Sequence, residues 1–231
     1  GSSQCGKSTL IQTLTNLPKD IIPSADEGSA HPTTAVHSEI FNHKNSEAVI
    51  YFYTEQEFKD SLAKLLELLG KSELAYNIDK FLDFDFNSLN VSASMNNNIQ
   101  KIKRIQKSYI YYKDKLKGGT ETLTENRFSE GIYYFTYMDN DETHRFFPAV
   151  KEAKIYAPFN GIASDASVAL LDLPGFDESG YVTDTTLNKL KDVDFLFFIE
   201  NPTIGKSSFQ EPFWKSYDNI KGRSLLQTTF H

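Results

Sequence analysis

Residues 1–9 read Gly1-Ser2-Ser3-Gln4-Cys5-Gly6-Lys7-Ser8-Thr9, in which Gly1, Gly6, Lys7 and Ser8 fit the spacing GxxxxGK[S/T]. The chemistry of a polyphosphate explains those residue types. Glycines let the backbone come close, amide N–H groups and a helix start face the anion, Lys7 sets a point charge near the β- and γ-phosphates, and the Ser8 hydroxyl suits Mg²⁺. Downstream, Leu10, Ile11, Leu14 and Leu17 recur at helical spacing and Pro18 closes the segment, so the loop opens into an amphipathic helix. Such a loop follows a β-strand, which here would lie before Gly1, so the chain reads as a fragment of a longer protein.

The chain of 231 residues is 39% hydrophobic and 24% charged, as expected of a soluble domain with a real core. No apolar run approaches the roughly 18 residues that cross a bilayer. The net charge of −7 argues against bulk nucleic-acid binding. A single cysteine excludes an internal disulfide and fits a reducing compartment. That residue, Cys5, either has a lowered pKa beside the phosphates or simply fills a small loop position. His31, His37, His43, His144 and His231 show no zinc-like pairing and read as scattered surface or structural residues.

Residues 19–34 are rich in Pro, Ser, Gly and Asp and read as a long loop able to reach back over a phosphate site. Thr33 and Thr34 end it, just before a strand expected over 35–41. One of them either ligates Mg²⁺ as a nucleotide switch residue or the pair merely starts the strand. A strand follows over 48–53, and Thr54 with Glu57 forms a capping box for a helix with Phe58, Leu62, Leu65, Leu66 and Leu69 on one face, ending at Gly70. Residues 83–98 read as a loop, and 99–116 as a second helix. That segment, with the residue after it, carries Lys101, Lys103, Arg104, Lys107, Lys113, Lys115 and Lys117 among tyrosines, either as a contact for acidic lipid or nucleic acid or as a solvated face. Residues 131–138 (GIYYFTYM) suggest another strand. An edge strand ends near Pro158, and a short buried strand over 168–171 runs into Asp172-Leu173-Pro174-Gly175. Asp184 is placed as the cap of a short helix through Leu187, Leu190 and Val193, and 195–199 (FLFFI) as a strand buried on both faces. This order of strands and helices gives an α/β protein with a mostly parallel central sheet.

DLPG after a strand is either a β-turn or a second switch, in which Asp172 holds Mg²⁺ through water and the Gly175 N–H reaches a γ-phosphate. With GSSQCGKST, HPTTAV, the 48–53 strand and its capped helix, KIYAPF, LLDLPGF and DVDFLFFI, the chain resembles the dynamin-like large GTPases of the divergent or bacterial type. The resemblance spans most of the chain, and no motif of it falls between about residues 76 and 140. It implies a P-loop NTPase three-layer sandwich, incomplete at both ends: phosphate loop 1–9, first switch about 22–36, a mixed helical and strand insertion about 70–145, and second switch 172–185. It also implies GTP as ligand and substrate, Mg²⁺ as cofactor and water as nucleophile. In that scheme Gly1, Ser2, Ser3, Gln4, Cys5, Gly6, Lys7, Ser8, Thr9, Asp172 and Gly175 bind nucleotide. Ser8, Thr33 or Thr34, and Asp172 serve the metal, and Lys7, Ser3, Thr33 and Thr34 are the catalytic candidates. Pairing of domains across the nucleotide face, and a cytoplasmic location peripheral to a membrane contacted by regions outside this chain, are implied as well.

The chain departs from that pattern in its third and fourth loop positions. The family often has Gln and then Ser or Asp there, assisting the attacking water and a monovalent cation. Ser3 and Gln4 stand in their place, which bears on hydrolysis more than on binding, and a nucleotide-binding scaffold without turnover is the alternative. The base-reading N/TKxD motif of the family would fall at or beyond His231, after a strand expected over 224–230, so an ATP-using P-loop protein stays a third alternative.

Overall fold

The computed structural model describes residues 6–19, 21–22, 34–92, 95–136, 145–164, 167–174, 189–191, 193–197 and 199. Helix α1 spans Lys7–Thr15. It starts at Gly6, whose φ of 87° is open to glycine at little cost, and stops at left-handed Asn16, whose N–H bonds back to the Gln12 carbonyl. Strands β1 (Ser38–Asn42) and β2 (Glu47–Phe52) follow, then helix α2 (Glu55–Glu67). The expected capping box is present. Thr54 Oγ1 accepts the Glu57 N–H at 3.3 Å, and the Glu57 carboxylate accepts the Thr54 N–H at 2.8 Å. Phe58, Leu62, Ala63 and Leu66 are the buried face of α2.

Helices α3 (Ile78–Asp83) and α4 (Asn96–Tyr112) pack beside α2 in one apolar core through Phe81, Ile102 and Tyr112. Gln106 of α4 ties the two together, its Nε2 lying 2.8–2.9 Å from the carbonyls of Phe81, Leu82 and Phe84 at the C-terminal end of α3. Strand β3 (Thr120–Thr124), helix α5 (Gly131–Phe135), and strands β4 (Val150–Ala157) and β5 (Ala169–Asp172) follow among the described residues.

The five strands of the described residues form one sheet in the order β3-β2-β4-β1-β5. The register places Ile40 beside Ile155, Ile155 beside Ala48, and Ala48 beside Leu123, so one buried row crosses four strands. Because strand side chains alternate, the residues between them face the other way. Phe41 and Tyr156 stack there, and Lys189 bonds Glu39 at 2.6 Å and Glu152 at 2.5 Å.

Four expectations are corrected. The sheet is mixed: among its described pairings only β1–β4 is parallel, and the other three are antiparallel. A parallel neighbour needs a crossover of about a dozen residues or more, and the link over residues 43–46 reverses the chain instead. β4 is the central strand and not an edge, since β1 and β2 flank it. The 131–138 segment is not a strand over its described part. Gly131, Tyr134 and Phe135 are buried at helical spacing, and Arg127 locks the preceding turn through Glu130 and Glu121. Finally, no described residue of 195–199 is in a strand; Phe195 is 80% and Phe197 72% exposed, and no ladder partner holds them. β3 and α3 lie within the mixed helical and strand segment expected over about 70–145, at positions where no individual strand or helix was expected.

Candidate functional site

The N-terminus of α1, the stretch leading into β1 and the end of β5 meet at one point. Ser8 lies in the first turn of α1 and is buried, with its Oγ 3.4 Å from Thr34 Oγ1. Thr34 in turn donates to Asp172 Oδ2 at 3.1 Å across 138 positions of sequence. β5 positions Asp172 because its antiparallel register with β1 sets Asp172 opposite Ser38, level with the chain that leaves Thr34.

Asp172 is 7% exposed, and burial pushes its carboxyl up to about 6, against the pull of nearby Lys7 and the Thr34 hydroxyl. A buried carboxylate needs compensating partners, and here a hydroxyl donor and a nearby lysine supply them. A small recess, with room for about one water, lies behind the cluster and is lined by Ile21, Ile22, Thr34, Ser38, Phe135 and Thr136 among others.

The donor set fits Mg²⁺. Two hydroxyls and one carboxylate are hard oxygen ligands, and Mg²⁺ takes few ligands from protein while keeping water and phosphate oxygens. Among the described residues there is no group of three His, Cys, Asp or Glu able to hold a metal, so an all-protein cage is not present there.

Of the expected site residues, the structure brings Ser8, Thr34 and Asp172 together and sets Lys7 close enough to act on Asp172. Gly6 supplies the turn into α1. Thr9 is exposed on α1, its carbonyl accepting from the Thr13 hydroxyl, and takes no part in the cluster. Gly1, Ser2, Ser3, Gln4, Cys5, Thr33 and Gly175 lie outside the described residues, as do Asp184, Leu187 and residues 224–230.

Two groups of neighbours were not signalled by any motif. Gln12 of α1 donates to the Ile22 carbonyl at 2.6 Å, holding the start of the long loop to the helix that carries Lys7 and Ser8. Thr136 and Arg145 are buried behind Thr34, and nothing in their sequence surroundings marks a polar pair for burial.

The lysine-rich helix α4 is partly committed to its own fold, with Lys103 bonded to Asn87 at 2.9 Å. Among the described residues no helix is long and apolar enough to cross a membrane. Set against protein-family models and against curated proteins, the chain matches none.

Proposed function

We propose that the chain is the GTP-binding and GTP-hydrolysing domain of a dynamin-like protein, a P-loop fold with residues 70–145 as its insertion. The observation that carries this reading is the convergence of Ser8, Thr34 and Asp172, from three distant stretches, beside the start of the helix that follows GSSQCGKST. Phosphate binding falls to the loop amides, the α1 N-terminus and Lys7. Ser8 and Thr34 would hold Mg²⁺ directly and Asp172 through water; when bound, the ion neutralises charge on the β- and γ-phosphates. The Thr34 carbonyl orients the attacking water, and no protein nucleophile is needed.

Lys7→Ala in the complete protein tests the phosphate site. Loss of about tenfold or more in nucleotide affinity is expected for a removed phosphate contact, and unchanged affinity sinks the reading. The scaffold alternative is favoured by Ser3 and Gln4, which replace the residues that assist water in the resembled family. Single-turnover assays decide between them: bound GTP that persists for hours without phosphate release supports the scaffold. Competition of GTP and ATP for one labelled nucleotide settles the base. Pairing of two domains across the nucleotide face, and membrane contact through other regions, belong to the same proposal.

A further inference from the structure

The backbone on either side of the Thr34 hydroxyl is pinned by the segment that ends α5. Thr34 forms an isolated antiparallel bridge with Thr136, and the Ala35 N–H donates to the Phe135 carbonyl at 2.8 Å. The Phe135 carbonyl is one of the acceptors that a helix leaves open at its C-terminus, so the bond satisfies both elements. Thr136 is itself locked. It is 1% exposed, and its Oγ1 donates to the Ile132 carbonyl at 2.7 Å and accepts from Arg145 Nη1 at 3.3 Å. The same Arg145 nitrogen lies 3.1 Å from the Ile132 carbonyl, and Arg145 is 4% exposed.

A guanidinium is costly to bury and stays buried only where its bonds hold it. Here it braces the turn that carries Thr136. Thr136, Thr34 and Asp172 line one recess, so the brace stands directly behind the hydroxyl cluster. Thr34 is β-branched and stiff about χ1, and with its backbone fixed its hydroxyl has few directions left. The observed one points at Asp172.

We infer that Thr136 and Arg145 are positioning residues that aim the Thr34 hydroxyl, coupling the 70–145 segment to the metal and nucleotide site without touching the ligand. The inference rests on the reading of Ser8, Thr34 and Asp172 given above. Its alternative is that the pair stabilises the fold and nothing more.

The test uses the complete protein with Thr136→Val, Thr136→Ser and Thr34→Ala, and the Thr34→Ala/Thr136→Val pair. Mg²⁺–GTP hydrolysis, thermal unfolding and amide exchange at Ala35 are measured for each. Thr136→Val is expected to lower kcat about tenfold with little change in KM, Thr136→Ser to restore it, and the double variant to be no slower than Thr34→Ala alone. Ala35 should exchange faster in Thr136→Val, with or without nucleotide. Additive losses in the double variant, or unchanged Ala35 exchange, overturn the inference. Arg145→Lys provides the same comparison with the charge retained if Thr136→Val does not fold. If the wild-type protein neither binds nor hydrolyses nucleotide, the functional reading falls, and Ala35 exchange alone then decides whether the brace exists.

Discussion

At the scale of single residues, Asp172 and His37 titrate in opposite senses over overlapping pH ranges, so their contributions to stability offset each other and single variants are needed to separate them. Burial raises the Asp172 carboxyl from 3.8 to about 6, so in metal-free protein its contribution to stability is full below pH 3.8 and is lost as pH rises through 6. For His37, burial first and Lys189 and Lys101 next lower the imidazole from 6.5 to about 4. Its contribution is full above pH 6.5 and is lost as pH falls through 4. Each shift corresponds to about 3 kcal/mol at most. Asp172→Asn should therefore raise the melting temperature of metal-free protein at pH 7 while abolishing the Mg²⁺ dependence of nucleotide binding. His37→Gln should flatten the loss of stability between pH 6.5 and 4. Melting curves across pH 4–8 check both, and a lower melting temperature for Asp172→Asn at pH 7 contradicts the burial argument. Ser8 and Asp172 were singled out by their spacing to glycines and to a strand end, and the structure brings both to Thr34. Thr136 and Arg145 were not, because burial of a threonine and an arginine depends on what a remote segment stacks against them.

At the scale of elements, α1 is held at both ends, and that orientation is what aims Lys7 and Ser8. Its C-terminal carbonyls are taken by the chain after β4: Asn160 and Gly161 donate to the Thr15 carbonyl at 2.8 and 3.1 Å, and Ala163 to that of Leu14 at 2.9 Å. Gly161 is required by the closeness of this approach, since a Cβ there would lie 2.5 Å from the Leu14 oxygen. Gly161→Ala should destabilise by about 1–3 kcal/mol, read as a lower denaturation midpoint. In contrast, Thr54→Ala removes only the cap of α2 and should cost about 1 kcal/mol without altering nucleotide binding. An equal loss of nucleotide affinity in the two variants would contradict the separate roles assigned to these helices. α2 was readable from sequence because its cap and its stripe are local signals. The strand expected over 131–138 was misread because aromatic residues favour strands on average, whereas here adjacent Tyr134 and Phe135 are both buried, which strict alternation forbids. The β4 pattern gave a strand correctly, but its central place depends on partners from β1 and β2, far away in sequence.

At the scale of the whole molecule, one sheet joins both halves of the chain. β4 enters between β1 and β2, and β3, from within the 70–145 segment, pairs with β2, so that segment is built into the sheet. A mixed α/β class was legible in the alternation of strand and helix patterns. Strand directions were not, since they follow from which strands meet and how far the links reach. This architecture places Asp172 at the end of β5 and Thr34 on the chain leading into its neighbour β1, and sets Ser8 against them from α1. The central claim is that these three side chains make a metal-assisted nucleotide site. Its most direct test is the affinity of the complete protein for labelled GTP with Mg²⁺ and with EDTA, for wild type and for Ser8→Ala. Wild type should bind about tenfold tighter or more with Mg²⁺, and Ser8→Ala should bind equally in both. Wild-type affinity that is the same with Mg²⁺ and with EDTA would contradict the account.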